Sequence, residues 1–158
     1  MLLIRTIGRC MHLDRHLPYF LRGRVVTGFG RGGKQLGCPT ANIEEAVVET
    51  LPAEFPCGVF YGLARVDGEQ VDKMVMSIGW NPHYKNEKKT LEVHLLRQFE
   101  NDFYDSMMDV LILGFIRPMT AFNSLDELRA AISSDITLAK EELKKVDTES
   151  LIQQYFQS

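Results

Sequence analysis

The sequence predicts a mainly β domain: about six short, mostly antiparallel strands closed into a small barrel, followed by one amphipathic helix. Three observations carry that expectation. Branched and aromatic residues alternate with period two in several segments between residues 40 and 116, Gly and Pro corners separate those segments, and after Ser124 the apolar spacing switches to three and four. Closure is favoured because it leaves no unpaired strand edge. At 158 residues, 45% hydrophobic and 25% charged, the chain has the size and composition of a single soluble globular domain.

Taken in order, residues 1–15 read as an N-terminal extension and 16–158 as the domain. His16 to Tyr19 is an extended lead-in, and Arg22 to Phe29 a first strand containing Val25 and Val26. A loop from Gly28 to Pro39 leads to a second strand, Thr40 to Ile43, and Glu44 to Ala53 reads as a short helix or a long turn. Gly58 to Val66 is an aromatic and branched strand, and Asp67-Gly68 is a hairpin turn signal. Val71 to Ile78 is its partner, ending in a bend at Gly79-Trp80-Asn81-Pro82. A basic tip runs from His83 to Lys89. Thr90 to Leu96 then alternates Leu91, Val93 and Leu95 against Thr90, Glu92 and His94, which puts Glu92 and His94 on one face. Phe99 to Ser106 is a polar loop, and Met107 to Ile116 a last strand stopped by Arg117-Pro118. Leu125, Leu128, Ile132, Ile136, Ala139 and Leu143 form a helical stripe, and Ser124 with Glu127 marks its start as a capping box.

The net charge of −3 is unevenly spread: residues 1–43 carry seven Lys and Arg against one Asp, the remainder eleven against twenty acids. A positive end suits an anionic ligand. An RNA-binding face is the weaker explanation, because no aromatic stacking platform is interleaved with the basic residues. Cys10, Cys38 and Cys57 are odd in number and lack metal-like spacing, so they read as free thiols of a reducing compartment, and the expected location is cytoplasmic. Arg5, Arg9 and Arg15, with no apolar core followed by a cleavage site, argue against a secretory signal and leave a mitochondrial presequence as the alternative. No apolar run approaches the ~20 residues a membrane span needs.

The most informative stretch is Gly28 to Asn42. Four glycines in six residues, then Lys34 and an exit through Pro39-Thr40-Ala41-Asn42, offer backbone N–H groups, one point charge and two hard oxygen donors. Gly28, Gly30 and Gly33 match a dinucleotide fingerprint, and Gly28, Gly33 and Lys34 match all but the last position of a phosphate-binding P-loop, where Gln35 stands. Both motifs require a helix to begin at the loop's end. Gly37 and Pro39 forbid one here, so the chain leaves as a strand and both readings fail. Thr40 and Asn42, two apart on a strand, point the same way and suit Mg²⁺ completed by phosphates and water, or else form a strand-entry turn in which Asn42 bonds its own backbone. Glu92 reads either as a general base or as a solvent-facing carboxylate paired with Lys88 or Lys89, and alternation alone favours the second.

Gly28 to Asn42, Ser-Ile-Gly-Trp-Asn-Pro-His-Tyr-Lys-Asn at 77–86, Leu-Glu-Val-His at 91–94 and Asp-Phe-Tyr at 102–104 together resemble the eukaryotic riboflavin kinases. The likeness runs from about His16 to Leu143 with the motifs in order, and the Pro-Thr-Ala-Asn signature is specific to that family. It implies a six-stranded Greek-key barrel with a C-terminal helix, and transfer of the γ-phosphate of ATP to the 5′-hydroxyl of riboflavin. Thr40 and Asn42 are thereby implied to hold Mg²⁺, with Zn²⁺ or Mn²⁺ as alternative ions, and Glu92 to be the catalytic base. The loops Gly28 to Gly37 and Glu100 to Ser106 are implied to act as flaps over nucleotide and flavin. The chain departs from the pattern at Met119, where an acidic residue is expected, and at Thr27, where some members have a basic one.

Phosphoryl transfer needs positioning and charge neutralisation. Loop amides at Gly28, Gly30 and Gly33 with Lys34 suit the phosphates, while Val110, Phe115 and Phe122 are expected to pack the isoalloxazine ring beside Arg117. The expected partners are ATP and riboflavin alone, with no nucleic acid and no membrane, and the protein is expected to be a monomer. A non-catalytic nucleotide- or flavin-binding barrel is the competing class.

Overall fold

The computed structural model describes residues 13–27, 40–80, 88–97 and 103–157. Six strands are present: β1 (Tyr19–Val26), β2 (Thr40–Ile43), β3 (Gly58–Val66), β4 (Asp72–Trp80), β5 (Lys89–Leu95) and β6 (Met107–Pro118). They close in the order β1-β2-β5-β4-β3-β6, and every pairing is antiparallel. The expected closed Greek-key barrel is the observed one. Among the described residues, α1 (Glu45–Val48), α2 (Leu125–Lys144) and α3 (Thr148–Tyr155) accompany it.

Alternation builds the interior. Val25, Ala41, Phe60, Met74, Met76, Ile78, Leu91, Val93, Met108, Val110 and Ile112 are fully buried in one cluster, so the barrel is filled by side chains. The Asp67-Gly68 turn has positive φ at both residues, 50° and 71°, and Glu69 N–H donates to the Val66 carbonyl at 3.0 Å, as a primed hairpin turn requires. On the outside, Ile136 and Ala139 of α2 pack on Val59 and Val75, while Phe156 after α3 packs with Leu63, Leu111 and Leu143. Arg22, Asp109 and Arg65 lie across β1, β6 and β3 as an ion triad, with Arg65 donating to the buried Asp109 at 2.7 Å.

Several boundaries differ from expectation for identifiable reasons. Gly79 and Trp80 are strand rather than bend, because they pair with Thr90 and Lys89. β6 runs through Arg117 to Pro118, which pairs with Gly58 at the strand's end, where a missing N–H is tolerated. α2 starts as expected, with Ser124 Oγ accepting from Glu127 N–H at 3.1 Å, but Glu127 reaches back to Asn123 N–H rather than to Ser124. Leu125 is 58% exposed and lies off the buried stripe. The C-terminal region holds a second helix, α3, capped by Asp147, beyond the single one expected. No helix among the described residues is long and apolar enough to cross a membrane.

Candidate active site

Strand parity places the chemistry on the outer wall. On β2, Ala41 and Ile43 face the core, so Thr40 and Asn42 face out and stay half-buried. On β5, Leu91, Val93 and Leu95 fill the interior while Glu92 and His94 face out. Antiparallel register then pairs Asn42 directly with Glu92, and Thr40 with His94. Opposed residues in such pairs hold their Cβ atoms about 5 Å apart, so hydroxyl, amide, carboxylate and imidazole share one patch.

The row continues around the barrel. Ser77 of β4 lies opposite Glu92, Val59 of β3 opposite Ser77, and Arg117 of β6 opposite Val59. Its far end is fixed by α2: Arg117 Nε donates to Asp135 Oδ1 and a terminal nitrogen donates to Oδ2, both at 2.9 Å. The same guanidinium lies over Phe122, its Cζ 5.5 Å from the ring centroid. Asp135 is 4% exposed, and its charge also reaches His94. Burial pushes the His94 imidazole down to about 4, outweighing the opposing pull of Asp135, so the ring is neutral at neutral pH. His94 Nδ1 lies 3.4 Å from Thr40 Oγ1.

A family model for riboflavin kinase matches residues 15–143. The chain belongs to the riboflavin kinase family. It is 55% identical over 130 residues to the human protein named riboflavin kinase, covering 82% of this chain and 84% of that one. The solved riboflavin kinase of Trypanosoma brucei superposes with a TM-score of 0.64 at 32% identity, covering 80% of each chain. A solved Streptococcus pneumoniae chain titled a macrolide-efflux protein aligns at TM-score 0.65 and 30% identity, over 78% of this chain but 38% of that one.

Set against the riboflavin kinase resemblance, the fold brings together Thr40, Asn42 and Glu92, and separately Arg117 with Phe122. It does not bring Val110 or Phe115 to this wall. Val110 is fully buried opposite Leu21 and Ala64, and Phe115 sits half-buried, edge-on to Phe60 at 5.2 Å; both help to fill the barrel. Gly28, Gly30, Gly33 and Lys34 lie outside the described residues, as do residues 100–102 of the expected second flap. Of the lysines weighed as partners of Glu92, Lys88 engages Glu45 and Glu49, and Lys89 donates to the Phe55 carbonyl at 2.7 Å. Asp135 and Ser77 are the site-wall residues that the sequence reading did not single out. Asp135 had a signal: it is an acid at a stripe position, three after Ile132 and four before Ala139.

Proposed function

We propose that this member of the riboflavin kinase family transfers the γ-phosphoryl group of ATP to the 5′-hydroxyl of riboflavin on the β2–β5 wall, giving FMN and ADP. The observation that carries the reading is the register that sets Asn42 against Glu92. Glu92 is the general base: it accepts the proton of the attacking hydroxyl as the oxygen closes on phosphorus. Thr40 and Asn42 would hold the divalent cation through their side-chain oxygens, and the ion would supply charge neutralisation at the phosphates. Hydroxyl and amide oxygens are hard donors that suit Mg²⁺ or Mn²⁺, whereas Zn²⁺ favours nitrogen and sulfur.

The glycine-rich stretch joins Thr40 through Cys38 and Pro39, and offers backbone N–H groups and Lys34 to the nucleotide phosphates. At the other end of the row Arg117 and Phe122 present a flat cation and a ring against which an isoalloxazine stacks.

The test is to incubate the purified protein with ATP, Mg²⁺ and riboflavin and to separate the flavins chromatographically. FMN is expected, and Glu92→Gln should lower kcat by at least about 10²-fold with riboflavin binding retained. A protein that binds both substrates and forms no FMN is a binding module, and the proposal fails.

A further inference from the structure

We infer that His94 is a positioning residue of this site: its Nδ1 accepts a hydrogen bond from the Thr40 hydroxyl and so turns the oxygen's lone pairs toward the cation. The inference rests on the assignment of Thr40 as a cation ligand. Threonine carries one O–H donor and two acceptor lone pairs, and its hydrogen rotates to suit its surroundings. An oxygen that lends a lone pair to a cation needs its proton directed elsewhere. His94 Nδ1, 3.4 Å away on the directly paired residue, is the acceptor in place.

The ring is itself held. Val93 and Leu95 on either side anchor the strand in the core, at 0% and 2% exposure. α2 packs on Val75, the cross-strand neighbour of His94 on β4, and brings the buried Asp135 near the imidazole. Asp135 has both oxygens engaged by Arg117, so the helix that flanks His94 is tied to the barrel beside it. Groups that orient metal ligands in this way typically cost about 10–100-fold in metal affinity when removed.

A double-mutant cycle on the full chain decides the matter, read as Mn²⁺ binding in the presence of ADP by the electron spin resonance signal of free Mn²⁺. Thr40→Ala and His94→Phe should each weaken binding, by about 10–100-fold, and the double variant should lose no more than Thr40→Ala alone. His94→Asn places an amide oxygen where Nδ1 stood and should restore affinity to within about threefold of wild type, whereas His94→Gln, which reaches the Nε2 position, should not. That Asn and Gln pair decides the case if His94→Phe fails to fold. Additive losses in the cycle, unchanged Mn²⁺ affinity in His94→Phe, or equal behaviour of Asn and Gln would overturn the role of His94. If Thr40→Ala itself binds Mn²⁺ normally, the ligand assignment falls first, and the inference with it.

Discussion

Removing the carboxylate of Asp135 tests how the far end of the row is held. Two hydrogen bonds at 2.9 Å join Asp135 to Arg117 in a fork, and the Asp135 and Arg117 side chains are 6% and 24% exposed. Breaking a buried pair from one side costs about 3–5 kcal/mol, chiefly because the remaining charge loses its partner. The partial exposure of Arg117 lets water replace part of that interaction, which moves the expected cost of Asp135→Ala to the lower end, about 3 kcal/mol. Replacing both partners by apolar residues, Arg117→Met with Asp135→Leu, should return stability to within about 1 kcal/mol of wild type, since no charge is then stranded. Urea unfolding followed by far-UV circular dichroism gives the stabilities. In parallel, the KM for riboflavin should rise in Asp135→Ala, because Arg117 loses its orientation. A loss below about 1 kcal/mol, or a double variant less stable than Asp135→Ala, would refute the clamp as described.

Three other outcomes follow from the same coordinates. At Gly62 a Cβ would collide with the Leu111 carbonyl oxygen, so Gly62→Ala should cost more than about 3 kcal/mol, whereas Gly68→Ala, with open space but φ of 71°, should cost only about 1 kcal/mol; thermal unfolding ranks them. In metal-free protein, His94 titrates near 4 when folded against an ordinary 6.5. The unfolded chain therefore binds the extra proton between those values, and stability present above pH 6.5 should fall by up to about 3 kcal/mol as pH drops to 4, a slope that His94→Asn should flatten in denaturant titrations. Burial pushes the Asp109 carboxyl up, but the hydrogen bonds and charges of Arg22 and Arg65 outweigh it and hold the group below the usual range. Its stabilisation is complete above the ordinary carboxylate value and is lost as pH falls through the lowered one, so the deficit of Asp109→Asn against wild type should shrink below about pH 4.

The alternation around Leu91, Val93 and Leu95 was enough to turn Glu92 outward, because a filled barrel interior accepts only one parity. The spacing of Thr40 and Asn42 put both on one face by the same rule. What no local pattern carries is register: that Asn42 meets Glu92, and that β5 lies between β2 and β4, depends on strands some fifty residues apart finding each other. Val110 and Phe115 show the limit from the other side. As apolar and aromatic residues of the last strand both are expected to face the flavin, yet Val110 alternates inward with Met108 and Ile112, and Phe115, between the register shifts beside Tyr61 and Phe60, packs on Phe60. Asp135 interrupts the apolar stripe, but its partner, Arg117, lies on another element, so no local pattern shows what the acid does.

The location of the site follows from the size of the barrel. Six strands enclose a space that Phe60, Met74, Met76, Ile78, Leu91 and Val110 already fill, so no substrate can enter and any chemistry must sit on the outer wall. There α2 and α3 cover β3, β4 and β6, and the polar faces of β2 and β5 carry Thr40, Asn42, Glu92 and His94. The interior thereby specifies the exterior. A one-residue slip of β5 would bury Glu92 and His94 and expose Leu91 and Val93, at a cost of about 1.5–3 kcal/mol for each large apolar side chain brought out and more for each polar group taken in. The aliphatic packing that holds the barrel together is also what keeps the Glu92 carboxylate opposite Asn42.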